Sequence, residues 1–176
     1  AKKNERIMTF TRTSISDVII IEPTVHGDNR GYFVEAFRQD KLEEFLGYKN
    51  NFCQDNESKS SKGVLRGLHY QLPPFAQTKL VRVIQGRVLD VAVDIRKNSS
   101  TFGQYVAVEL TAENKKQILI PRGFAHGFVV LEDNTVFAYK VDNYYSPQCD
   151  RGIAFDDKNL NIDWVLNHDE LNISAK

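Results

Sequence analysis

Along much of this chain apolar and polar residues alternate every second position, the period of a half-buried β-strand. Residues 79–84 put Lys79, Val81 and Val83 on one face and Leu80, Arg82 and Ile84 on the other. Residues 87–95 set Leu89, Val91, Val93 and Ile95 opposite Val88, Asp90, Ala92 and Asp94, so two carboxylates share a side that is either solvent or a polar cavity. Further β-type runs fall at 17–21, 31–37, 104–110, 116–120 and 135–141. Between them stand Gly27-Asp28-Asn29-Arg30-Gly31, Gln85-Gly86, Asn98-Ser99-Ser100 and Ala112-Glu113-Asn114, the residue types that tight turns require. One stretch has a different period. In 39–46, Leu42, Phe45 and Leu46 share a helical face, and Gly47 follows where a helix stop belongs. Residues 57–62, Glu-Ser-Lys-Ser-Ser-Lys, read as a polar loop suited to a site entrance. Short strands at this spacing predict an all-β sandwich, jelly roll or barrel with one or a few short helices.

Length and charge narrow the class. The chain has 176 residues, which suits a single domain over 8–176, with the polar, charged residues 1–7 set aside as an N-terminal extension. Lys plus Arg and Asp plus Glu each total 23, so the net charge is zero and no basic field attracts nucleic acid or an anionic membrane surface. No apolar run approaches the roughly 20 residues of a spanning helix, and the N-terminus lacks the apolar centre of a secretory signal. The expectation is a soluble, cytoplasmic protein. Cys53 and Cys149 are far apart with no close Cys or His spacing, which points to two reduced thiols and to no metal knot or disulfide framework.

Three residues at strand positions carry candidate chemistry: His69 in 63–71 (Gly-Val-Leu-Arg-Gly-Leu-His-Tyr-Gln), Lys79, and Tyr139 in Phe137-Ala138-Tyr139-Lys140. A base, a cation and a phenol together are the parts of a proton-transfer site. Singly, each has an ordinary structural explanation: a satisfied core histidine, a solvated strand lysine, a packed strand tyrosine. A second motif, Pro121-Arg122-Gly123-Phe124-Ala125-His126, resembles the turn of the cupin jelly roll (double-stranded β-helix). Metal-binding cupins also carry a His-x-His pair, because a divalent ion needs several converging donors. Here the first motif reads His69-Tyr70-Gln71, and a cupin without a metal is expected.

The resemblance becomes specific when the motifs are taken together. Residues 63–71, 79–83, 90–96 (Asp-Val-Ala-Val-Asp-Ile-Arg), 100–103 (Ser-Thr-Phe-Gly), 120–128 and 144–147 (Tyr-Tyr-Ser-Pro) resemble the dTDP-4-dehydrorhamnose 3,5-epimerase family. So do Gly27-Asp28-x-Arg30-Gly31, Gln54-Asp55-Asn56 and Arg151-Gly152-Ile153. This resemblance implies epimerisation of a dTDP-linked 4-keto-6-deoxy sugar at C3 and C5, with no cofactor. It implies His69 as base, Lys79 as stabiliser of the enolate oxygen and Tyr139 as the acid on the opposite ring face. It further implies Arg30, Arg66 and Lys176 near the diphosphate, Gln54 and Asn56 as neutral donors, and Tyr145 or Tyr144 under the base. Glu35, His126 and Asp150 match other site-lining positions, with a structural role in the turn the competing reading for His126. The family also implies a homodimer whose N-terminal strands cross to the partner. In it a carboxylate orients the base from a segment like Leu-Ser-x-Lys-Asp. The corresponding residues here are Ile173-Ser174-Ala175-Lys176, so the acid is expected immediately after Lys176, with Asp169 and Asp90 as substitutes. Two other readings compete: a mono-epimerase or 3,4-ketoisomerase of the same substrate class, and a sugar-nucleotide-binding cupin without turnover.

Overall fold

The computed structural model of the chain describes residues 7–173. Its strands are β1 (Met8–Arg12), β2 (Ile19–Pro23), β3 (Val25–Asp28), β4 (Gly31–Val34), β5 (Gln54–Ser60), β6 (Val64–Gln71) and β7 (Lys79–Gln85). Then follow β8 (Arg87–Asp94), β9 (Tyr105–Thr111), β10 (Gln117–Ile120), β11 (Phe124–Val130), β12 (Thr135–Val141), β13 (Asp150–Gly152) and β14 (Asn172–Ile173). One six-stranded sheet runs β1-β2-β10-β7-β12-β5 and a second runs β13-β6-β11-β8-β9. Within both paths neighbours pair antiparallel, and the crossovers between sheets make a jelly roll.

The alternation read from the sequence decides which sheet face meets which. Val81, Val83, Ile118, Ile120 and Phe137 from the first sheet meet Val88, Ala92, Val108, Leu110, Phe124 and Phe128 from the second in the central core. The other face of β8 is buried too: Val91 and Val93, with Leu65 and Leu68, pack beneath Trp164, Phe155 and Ile162 of the C-terminal segment. Of the two alternatives for the Asp90 and Asp94 side, solvent is therefore excluded; both side chains are fully buried. Burial alone would raise the Asp94 carboxyl, but donation from Arg96, Ser99 and Thr101 holds it well below the ordinary carboxylate range. The 94–96 and 99–101 motifs are thus a structural knot beside the core.

The helix α1 (Gln39–Leu46) has its expected bounds and ends at Gly47, whose left-handed backbone (φ 78°) lets its N–H reach the Glu43 carbonyl at 2.8 Å. Leu42, with Phe45 and Leu46 beside it, covers the outer face of the first sheet against Ile19, Ile21, Leu80 and Leu119.

Three expectations are corrected. Residues 57–60 belong to β5, not to a loop: its polar faces carry no hydropathy signal, and pairing with β12 from Thr135↔Ser60 to Val141↔Gln54 makes the strand. The run at 31–37 is strand only to Val34, forming a hairpin with β3, while Phe37 packs in the helix cluster. The turn at 121–123 gives way at Phe124 to β11, so His126 stands on a strand and not in the turn.

Candidate active site

The cleft of interest opens between the two sheets, with a volume of about 450 Å³. Arg66 and His69 reach it from β6, Lys79 from β7, His126 and Phe128 from β11, Asn56 from β5 and Tyr139 from β12. Tyr145 and Asp150 close its rim. Strict alternation would send Arg66 and His69, three residues apart, to opposite faces. A register shift between β6 and β11 reconciles them, because pairing passes from His126↔His69 to Phe128↔Arg66. Gly67 sits at that irregularity with φ +117°, and a Cβ there would lie 2.6 Å from the Gly127 Cα and from the His126 carbonyl oxygen. Leu65 and Leu68 consequently share the outer core cluster, and Arg66 and His69 share the cleft.

His69 is exposed to the cleft, and partial burial draws its pKa below the usual imidazole value; Asp150 opposes this shift, while Lys79 and His126 reinforce it. Its neutral, proton-accepting form therefore prevails at neutral pH. Among the described residues no carboxylate hydrogen-bonds its ring. Asp90 is not its partner: Asp90 Oδ1 lies 2.7 Å from His126 Nε2, with both side chains buried. Burial pushes the Asp90 carboxyl up and the His126 imidazole down, while each partner's charge opposes the other's shift. The second Asp90 oxygen is buried with no partner among the described residues.

Lys79 is held near this pair. Burial lowers its ammonium from 10.5 to about 8, against the pull of Asp90 and Asp150. Its Nζ lies 5.7 Å from the centroid of the Tyr139 ring, within cation–π range. Below them, Phe128 and Phe137 stack at 3.9 Å, with the His126 ring 6.1 Å from Phe137. One side of the cleft thus presents a neutral base, the other a lysine and a phenol, over an apolar aromatic floor. That arrangement can remove a C–H proton beside a carbonyl, hold the oxyanion and return a proton.

A family model described as dTDP-4-dehydrorhamnose 3,5-epimerase matches residues 12–176. The chain belongs to the dTDP-4-dehydrorhamnose 3,5-epimerase family. It is 58% identical to the enzyme of that name from Shigella flexneri over 159 residues, 90% of this chain and 88% of that one. The crystal structure of the Elizabethkingia anophelis epimerase superposes with a TM-score of 0.92 at 50% identity, covering 97% of this chain and 93% of the other. A Legionella pneumophila dTDP-6-deoxy-D-glucose-3,5-epimerase, solved in complex with dTDP-4-keto-L-rhamnose, gives 0.92 at 51% identity over 96% and 89% of the two chains.

Of the residues implied for this epimerase-family site, His69, Lys79, Tyr139, Asn56, Arg66, His126, Tyr145 and Asp150 gather in the cleft. Gln54 stands just behind it, its Oε1 accepting the Tyr145 N–H at 3.2 Å. Arg30 and Glu35 are elsewhere: Arg30 pairs with Asp28 at 2.6 Å in the exposed β3–β4 turn, and Glu35 pairs with Arg38. Lys176 and the acid expected beyond it lie outside the described residues. Gln71, Gln77 and Phe128 also line the cleft and were not foreseen as site residues, while Asp90, expected as a substitute partner for His69, holds His126 instead. Asp90's inward face was legible in the β8 alternation, and Gln71 stands where a metal cupin has its second histidine.

Proposed function

We propose that this protein epimerises dTDP-4-keto-6-deoxy-D-glucose at C3 and C5, forming dTDP-4-keto-L-rhamnose. The observation that carries the reading is the opposition of His69 on one sheet to Lys79 and Tyr139 on the other, across a single cleft. His69 takes the proton from the carbon beside the ketone, and the C4 oxygen becomes an enolate. Lys79 stabilises that oxygen as charge develops, most strongly in a site from which water is largely excluded. Tyr139 returns a proton to the opposite face, which inverts the centre; exchange with solvent then takes the proton from His69 and restores that of Tyr139, and the cycle repeats at the second carbon. Arg66 suits a diphosphate oxygen, and Tyr145, 59% exposed at the rim, suits stacking under the nucleobase. The complex of the Legionella relative with dTDP-4-keto-L-rhamnose supports the substrate class.

The same reading includes a homodimer. The β3–β4 hairpin pairs only within itself among the described residues and leaves Val25, Tyr32 and Phe33 exposed, an apolar surface suited to a second copy. Arg30 and Glu35 would then serve the second copy's cleft. Light scattering at micromolar concentration is expected to return twice the chain mass. We place the enzyme in the cytoplasm, where the thiols of Cys53 and Cys149 stay reduced. No helix among the described residues is long and apolar enough to cross a membrane.

The deciding experiment is proton NMR of dTDP-4-keto-6-deoxyglucose with the protein in deuterium oxide. Loss of both the C3 and C5 proton signals is expected. Loss of one alone would assign a mono-epimerase, and retention of both would leave a binding cupin without turnover.

A further inference from the structure

Gln71 ends β6 and is 7% exposed, yet its side chain makes three hydrogen bonds to backbone. Nε2 donates to the Phe75 carbonyl at 2.7 Å and to the Tyr144 carbonyl at 3.1 Å, while Oε1 accepts the Ser146 N–H at 2.9 Å. Tyr144 and Ser146 flank Tyr145, whose own N–H is held by Gln54 from the other sheet. The strap 144–146 is therefore gripped on both sides of a residue whose ring is free at the cleft rim. An amide is the right group for this: one donor nitrogen and one acceptor oxygen match a carbonyl and an N–H two residues apart. Both amide hydrogens are spent on backbone carbonyls, of Phe75 and of Tyr144 in the strap.

We infer that Gln71 is a positioning residue for nucleotide binding, holding the 144–146 strap so that Tyr145 meets the base. The inference rests on the proposed role of Tyr145. Deleting the amide while keeping the length, as in Gln71→Met, leaves two carbonyls and one N–H without their partner, and the strap moves to find water. Gln71→Glu keeps the acceptor for Ser146 but sets a carboxylate against two carbonyl oxygens. A ring held in place before the nucleotide arrives spares the complex the cost of ordering it.

The test uses dTDP as probe and the full chain, with titration calorimetry, steady-state kinetics and amide hydrogen exchange. Gln71→Met is expected to weaken dTDP about tenfold or more, and KM is expected to rise by more than kcat falls. In the ligand-free protein, exchange at the Tyr145 and Ser146 amides is expected to accelerate. Gln71→Met placed on Tyr145→Ala should add little, because both changes remove the same contact. Gln71→Glu supplies the same readouts should the methionine variant fold poorly. Unchanged exchange would overturn the grip. Faster exchange with unchanged dTDP affinity, or additive losses with Tyr145→Ala, would overturn its link to the nucleotide. A wild-type chain that does not bind dTDP would instead bring down the functional reading and the inference with it.

Discussion

The alkaline limit of activity should belong to Lys79. Burial places its ammonium at about 8 where a solvated lysine stands at 10.5, so above pH 8 the cation that stabilises the enolate is lost, roughly tenfold for each further pH unit. On the acid side His69 must be neutral, and its pKa lies below the ordinary 6.5. The expected profile of kcat/KM, which reports the free enzyme, is a bell that rises below pH 6.5 and falls from about pH 8. Lys79→Arg tests the assignment, since a guanidinium stays charged throughout this range. The variant will be slower, because the planar group fits a lysine's place poorly, but its alkaline limb should disappear. A stopped assay of dTDP-4-keto-L-rhamnose formation in constant-ionic-strength buffers from pH 5 to 10 measures both. A wild-type limb above pH 10, or one that survives in Lys79→Arg, would refute the reasoning.

Other outcomes follow from the same contacts. Because the folded pKa of Lys79 lies below its unfolded value, the unfolded chain binds the extra proton between pH 8 and 10.5, and stability should rise with pH across that window. Lys79→Met removes the desolvation cost and should stabilise the fold at pH 7 by up to about 3 kcal/mol while abolishing turnover, as read by urea denaturation. Asp90→Asn keeps the shape but removes the charge that raises Lys79, so the alkaline limb should move to lower pH; an unmoved limb would separate Asp90 from the lysine. Gly67→Ala forces a Cβ to within 2.6 Å of the neighbouring backbone at a left-handed φ, and should cost at least about 2 kcal/mol with loss of activity.

The strands that the sequence announced are those with one apolar face. The β7 and β8 alternation gave the inward placement of Lys79, and the period change gave α1 with its bounds. What stayed hidden had no hydropathy to reveal it. β5 is polar on both faces and is a strand because β12 pairs with it. The bulge at Gly67 reverses the parity of Arg66 relative to His69, and no alternation count detects an inserted residue. The gathering of His69, Lys79 and Tyr139 was legible through the family motifs and not through spacing, because they come from three strands in two sheets. Arg30 and Glu35 match family positions too, yet one chain does not bring them to the cleft. In the proposed homodimer these two would serve the second copy's cleft, a contact that alternation and motif along one chain do not display.

The site's charges also explain why its residues are buried where they are. A solvated lysine would bind an enolate oxygen weakly, since water screens the pair at high dielectric. Burial strengthens that interaction but erodes the cation itself, and at about 8 Lys79 sits close to the point where burial would neutralise it at cellular pH. Asp90 is the counterweight: it pulls the ammonium back up, and it is itself held back from full charge by burial, against the charge and hydrogen bond of His126. A fully ionised, solvent-exposed carboxylate contacting Lys79 would hold the proton more firmly but would also compete with the enolate for it. A buried acid that already shares one oxygen with an imidazole raises the lysine's pKa through its charge, and no hydrogen bond between Asp90 and Lys79 then competes with the oxyanion proposed for that ammonium.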